Sequence, residues 1–488
     1  MIKKSISAPT LFLFGLFFTK VCLAEPQVNQ PLQLPQLTIP QIQTQQPEIK
    51  SNLNPQINST DEKMPELNDE DLKNNVQLTQ YIINQALAHQ DWNTLQRINK
   101  FYPAMQGADP MLVKYVQGTL YRQQAKHKKA IAAYQWMLNQ EPTLHTVRFD
   151  LAAMQFENKQ YKDAQHNFEI VQQTKESPDF IQHLIKQYLQ AIDQQSQLSG
   201  TLQVGVAYND NVNQGNDINT VLIQDLVEFE KSPDSLARSS WGYDYNLHLN
   251  KDWNIYKNHF LTLNSDISTD LYSSLPEYNE YIAQIKTGYK FQNVNSWLKI
   301  EPFISKRFLD NNSYSQDMGL QTEYGRWLQK KWQVIGNLAW IDRNYNASSY
   351  AGYEGNNYLL SGTAVHFLKQ NQIVFAGLNY QQDKFEDTAE SSKRYGVQFG
   401  AIQQWPSGWL MRINAGVGYK KYEDINVFKL SIRKDKEYQA GFSLENQAWQ
   451  WNGFTPKLAY SFIKVDSNQA DIYSKKINQL TLSLETSF

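Results

Sequence analysis

The sequence predicts an α + β multidomain chain, with N-terminal α-helical repeats followed by a 14-stranded antiparallel transmembrane β-barrel. Two observations carry that prediction. Apolar residues recur with a period near 3.6 from about Asp71, and the period switches to 2 after Gly200. Aromatic residues make up 13% of the 488 residues, yet mean hydropathy is −0.59. A helical membrane protein cannot be that polar, and a disordered chain would not be that aromatic. Lys and Arg total 46 against 48 Asp and Glu, a formal charge of −2. With no basic excess to displace counterions, a nucleic-acid partner is not expected.

Residues 1–24 read as a secretory signal peptide. Lys3 and Lys4 precede the apolar run Leu11 to Phe18, and Val21-Cys22-Leu23-Ala24 offers a small residue for cleavage. Cys22 is the one cysteine of the chain, so thiol catalysis and disulfides are not expected. Loss of residues 1–24 removes three Lys and no acids, leaving 43 cations against 48 acids, a charge of −5. Residues 25–70 hold seven of the 17 prolines among Gln and Asn. That composition cannot offset its ordering entropy by burial, so a disordered Gln/Pro-rich tether is expected.

Residues 71–197 are expected to form a periplasmic helical domain. Leu78, Ile82 and Leu87, then Leu95, Ile98 and Phe101, keep helical spacing, with Asp91 as an N-cap between them. Gly118, Tyr121, Ala130, Tyr134 and Pro142 occupy positions 8, 11, 20, 24 and 32 of a 34-residue frame. One frame later come Ala152, Ala164 and Phe168, with Gln155 where an aromatic is usual. The spacing resembles the tetratricopeptide repeat (TPR), so the fold is TPR-like. Small residues let paired helices approach, and the aromatic fills the gap between repeats. Fewer than three such repeats need flanking helices to complete a core. The repeat frame places Tyr115, Thr119, Arg122, Phe149, Ala153 and Phe156 on an exposed concave face that would bind a client.

Residues 198–488 are expected to form the barrel. Trp241, Tyr243, Tyr245, Leu247 and Leu249 alternate with Gly242, Asp244, Asn246, His248 and Asn250. Trp409, Met411, Ile413, Ala415, Val417 and Tyr419 alternate with Arg412, Asn414, Gly416 and Gly418. Fourteen such segments occur, most longer than the ~9–11 residues a tilted strand needs to cross a bilayer. Connections mostly alternate short and long, as periplasmic turns and extracellular loops do. Trp253, Trp297, Trp327, Trp332, Trp405, Trp409, Trp449 and Trp451 sit beside the short turns, as an aromatic girdle would. A soluble sandwich shares the alternation but would have to hide that aromatic face elsewhere. Fourteen strands should leave a lumen, lined by Asp244, His248, Glu323, Arg412 and Asn414. Phe488 closes an alternating strand, which looks like the assembly signal read by the barrel assembly machinery, with periplasmic chaperones and outer-membrane lipid as further partners.

No catalytic residues, metal ligands or cofactor motifs emerge. The eight His lie outside any HExxH pattern, and Gly416-Val417-Gly418 lacks the third glycine and helix of a dinucleotide loop. An enzyme is therefore not expected.

Signal peptide, periplasmic repeats and a 14-stranded C-terminal barrel together resemble the surface lipoprotein assembly modulator (Slam) family. The resemblance covers roughly residues 75–488 and rests on Gly118, Tyr121, Ala130, Tyr134, Pro142, the stretch Val147 to Ala152, the strand count and Phe488. It implies a bacterial outer-membrane translocator that delivers a secreted client, either a surface lipoprotein or a soluble haemophilin-like protein serving haem or iron acquisition. In that picture the repeats capture the client, and the lumen or the seam between first and last strands passes it. Three other readings stay open. An exopolysaccharide exporter also joins periplasmic repeats to a barrel; an outer-membrane enzyme would need a catalytic constellation; a nutrient porin would leave the repeats unexplained.

Overall fold

The computed structural model describes residues 68–174, 178–224 and 226–488. The expected signal peptide and the tether up to residue 67 lie outside them. Eight helices come first: α1 (Asp69–Lys73), α2 (Val76–Ala88), α3 (Trp92–Ile98), α4 (Pro110–Gln123), α5 (His127–Gln140), α6 (His145–Glu157), α7 (Tyr161–Gln172) and α8 (Asp179–Ser196). Short polar side chains start the early ones. Asn75 accepts a bond from Leu78 N in front of α2, and Asp91 from Thr94 N in front of α3. Asp109 caps α4, where Pro110 fills the first turn without losing a needed donor.

The helices pack as antiparallel pairs. Gly118 on α4 lies under Tyr134 of α5, and a Cβ there would sit 2.6 Å from Tyr134 Cε1. Ala152 and Ala164 are fully buried between α6 and α7. Phe168 stacks on Tyr188 of α8 at 4.6 Å between centroids. Ile185, Tyr188 and Ile192 of α8 close the second pair, while α1 to α3 close the first through Leu72, Ile83, Leu95 and Ile98.

Two residues after α8 the barrel begins. Its strands are β1 (Ser199–Asn209), β4 (Ser240–Tyr256), β5 (His259–Tyr272), β6 (Glu280–Gln292), β7 (Ser296–Leu309), β8 (Asn312–Gln329), β9 (Trp332–Tyr345), β10 (Gly355–Lys369), β11 (Gln372–Phe385), β12 (Ser392–Gln404), β13 (Trp409–Asn426), β14 (Ser431–Asn446), β15 (Thr455–Ser467) and β16 (Lys475–Ser487). They close into one antiparallel barrel of 14 strands, β1 pairing with both β4 and β16. Between β1 and β4 the long loop carries a separate hairpin, β2 (Thr220–Ile223) and β3 (Val227–Glu230). A short helix α9 (Ala470–Tyr473) lies between β15 and β16. Among the described residues no helix is long and apolar enough to cross a membrane; the crossing is made by strands.

The barrel is apolar outside and polar inside. Val204, Val206, Leu480 and Leu482 are exposed on its outer wall, while Gln203, Asp244, Ser483 and Glu445 turn inward. Two sequence expectations need correction. The sequence reads a short connection near 251–257, but residues 251–256 extend β4, because pairing with β5 continues to Tyr256–His259. Trp297 and Trp327 leave the girdle and point inward. Trp297 Nε1 donates to the inward Glu323 at 2.6 Å, and Trp327 lies 4.9 Å from the Phe367 ring. With Ile335, Val365, Ile373, Phe375, Ile402 and Leu410 they build an apolar patch on the inner wall at the short-turn end.

Candidate functional site

The chain offers three functional regions: the face of the helical repeats, their attachment to the barrel mouth, and the lumen with its seam. On the repeats, Tyr115, Thr119 and Arg122 are half-buried along one face of α4. Phe149, Ala153 and Phe156 are not exposed as expected; α8 covers them, and all three are buried in the core it completes. Phe156 packs 5.2 Å from Tyr188, and Phe149 packs 6.1 Å from it. The repeat frame shows which residues face the concave side but not that a later helix fills it.

The open part of this face is polar and tightly paired. Arg122 Nη2 donates to Glu157 Oε1 at 3.0 Å and Nη1 lies 3.9 Å from Asp150. Tyr115 donates to Asp150 Oδ2 at 3.1 Å, and His127 Nε2 lies 2.9 Å from Glu157. Burial pushes the Asp150 carboxyl up, and Arg122 offsets this in part. For Glu157 burial acts the same way, but the bonds from His127 and Arg122 outweigh it and hold its carboxyl low. The face therefore presents a cation already matched by two acids, beside the Tyr115 and Tyr134 rings.

The domain docks on the barrel rather than hanging from it. Gln160, at the turn between α6 and α7, donates to Asn258 Oδ1 at 2.9 Å. Asn258 Nδ2 in turn donates to Asn158 O and to Gln292 O of the rim. Lys162 N donates to Asn254 Oδ1 at 2.9 Å. The inward-facing Phe260 of β5 meets the Tyr161 ring at 6.0 Å and belongs to the helical core. None of these contacts was legible beforehand, since they join residues about a hundred positions apart.

Inside the barrel, cations meet acids on the same strand or on strands one or two away. Arg343 pairs with Asp317 at 2.8 Å, Lys299 with Glu323 at 3.4 Å and Arg412 with Glu445 at 3.3 Å. Of the lumen residues read from the sequence, Asp244 accepts from Gln203 at 2.8 Å and His248 pairs with Asp266 at 2.6 Å. Neither sign dominates, and among the described residues no cluster of His, Cys, Asp or Glu could hold a metal.

The seam between β1 and β16 has the shortest pairing in the barrel, from Thr201–Ser487 to Asn209–Gln479. Its inner face is polar: Thr201 pairs with Ser487, Gln203 with Glu485, Gly205 with Ser483 and Ala207 with Thr481. Gly200 and Phe488 exchange backbone bonds of 2.8 and 3.0 Å at the periplasmic end. At the other end Asn211 donates to Lys476 O, Asn216 to Ala470 O, and Arg433 lies 3.6 Å over the Tyr473 ring.

Comparison with known proteins places this arrangement. Residues 199–488 match the family model described as surface lipoprotein assembly modifier, and residues 65–168 match its N-terminal TPR repeats. The chain is similar to surface lipoprotein assembly modifier 1 of Haemophilus influenzae, 26% identical over 413 residues and 83% of each chain. Its counterpart in Neisseria meningitidis is 24% identical, covering 85% of this chain and 83% of its own. A haemophilin secretion modulator of Acinetobacter baumannii is 21% identical over 83% of this chain and 84% of its own. A solved polysaccharide outer-membrane secretin overlaps 59% of this chain and 98% of its own, at 12% identity and a TM-score of 0.32. That likeness is too loose to carry the polysaccharide reading. The barrel resides in the outer membrane.

Proposed function

This chain belongs to the surface lipoprotein assembly modifier family, and we propose that it captures a secreted client protein in the periplasm and delivers it to the cell surface or medium. The client is a surface lipoprotein or a soluble haemophilin-like protein. One observation carries the reading: α8 runs into β1 across two residues, so the repeat domain is fixed beside the seam and docked on β4 and β5. A client held on the Tyr115, Thr119 and Arg122 face would be released next to the shortest strand pairing of the barrel. Passage then uses the lumen or the parted β1–β16 seam. No nucleotide is needed if the client folds outside, since folding of one domain yields roughly 5–15 kcal/mol. Periplasmic chaperones would deliver the client, and Phe488 would serve the barrel assembly machinery.

Deletion of residues 71–197 tests the capture step. The expected outcome is loss of one or two specific proteins from the surface or medium, read by proteomics, with the barrel still heat-modifiable in the outer membrane. Undiminished display without the repeats would overturn capture. An unchanged protein profile with altered surface polysaccharide would favour an exporter instead.

A further inference from the structure

The turn joining α6 and α7 occupies the periplasmic mouth in a way that the export reading alone does not explain. Asn158, Lys159 and Gln160 sit against Asn258, Phe260 and Gln292, all on the rim or inner wall of β5 and β6. Lys159 has a left-handed backbone (φ 65°), as Gln90 and Ala125 have at the matching turns of the other helix pairs. Its ammonium feels the charges of Lys290, which itself pairs with Asp252 inside the barrel at 2.6 Å, and of Glu157. Burial first, and Lys290 second, push the Lys159 amine down to about 8. The contacts are hydrogen bonds of Asn158, Gln160 and Lys162 together with Phe260 seated in the helical core, a small interface of the kind found between domains that move relative to one another.

The opposite part of the inner wall carries the apolar patch of Trp297, Ile335, Val365, Phe375, Ile402 and Leu410 at the same short-turn end. The docked turn and this patch both occupy the mouth, while the polar lumen lies beyond them. We infer that Asn258 and Gln160 are positioning residues that park the α6–α7 turn in the mouth as a removable stopper, and that client passage requires the turn to leave. The inference rests on the export reading for its cellular consequence only; the stopper itself is a property of the full chain, whatever it exports.

Two measurements on the full chain test it separately. In planar lipid bilayers, Gln160→Ala, which leaves the barrel residues untouched, and Asn258→Ala should each raise ion conductance or open time several-fold over the parent chain. Unchanged conductance in both variants, with heat-modifiable barrels, would overturn the stopper. In cells, a Gln160→Cys and Asn258→Cys double variant can be bridged by a short bismaleimide, because Cys22 precedes the expected cleavage point. Bridged cells should lose the dependent surface protein, whereas unbridged cells of the same strain retain it. Equal display in bridged and unbridged cells would also overturn the inference. Should conductance respond while no surface protein depends on the chain, the stopper stands and the export reading falls.

Discussion

The helical domain and the barrel bury their residues in opposite senses. In the helical domain Phe168, Leu95 and Ile185 are wholly inside, and the polar cluster around Arg122 lies at the edge. In the barrel Leu378, Leu482 and Phe399 are exposed, and Arg394, Asp383 and Glu437 are buried. The same side-chain chemistry serves both because the solvents differ. Water drives apolar groups into the helical core, whereas lipid accepts them on the outer wall and leaves the polar groups to pair across strands. The joint between the regions follows neither rule. Phe260, an inward barrel residue, is buried by completing the helical core.

Three substitutions break or sharpen this contrast, each read by helix melting in far-ultraviolet light and barrel heat-modifiability on the same detergent-solubilised chain. Phe168→Ala removes the ring that Phe149 and Tyr188 pack against and should cost about 3–5 kcal/mol. Helix melting should drop while the barrel is unaffected; a parallel loss in the barrel would mean that the domains unfold together. Leu482→Arg, midway along β16 on the lipid side, should cost about 2–4 kcal/mol in folding into vesicles. The helices should melt as before.

Arg122→Ala has the smallest expected effect, about 1–3 kcal/mol at neutral pH, because Asp150 then lies buried without its counter-ion. Its pH dependence gives the sharper test. The Asp150 carboxyl is raised in the fold, so the folded state binds its proton more tightly than the unfolded chain. Its contribution is therefore greatest at acid pH and is lost as pH rises from the unfolded value through the folded one. Removal of Arg122 should widen that window. Glu157 acts in the opposite direction: its lowered carboxyl stabilises above the unfolded value and loses that stabilisation as pH falls through the folded one. Losing the Arg122 bond should shrink that term. The variant's helix stability should thus fall more steeply with rising pH than the parent's.

Much of the molecule was legible in residue order. The change of period after Gly200 separates the domains, and alternation assigns inner and outer faces strand by strand. Trp297 shows how far that signal reaches. It shares its parity with Lys299, Glu301 and Arg307, so its inward orientation was readable from alternation, although its place beside a short turn suggested the girdle. Phe149 and Phe156 show the limit. Their repeat positions face the concave side, but α8 is drawn from a segment with no repeat signature, and its amphipathic face could have packed elsewhere.

By itself the sequence determined the two solvents this chain folds in, the strand count, the helical pairing and the family, because each depends on local period, composition or spacing. The tertiary structure alone decided that α8 closes the concave face, that the barrel's inner wall has an apolar mouth, and that Asn158 to Lys162 dock on Asn254 to Phe260. These contacts join residues about a hundred positions apart. Local propensity cannot specify them, because their stability arises only when the barrel has closed and brought the rim to the helices.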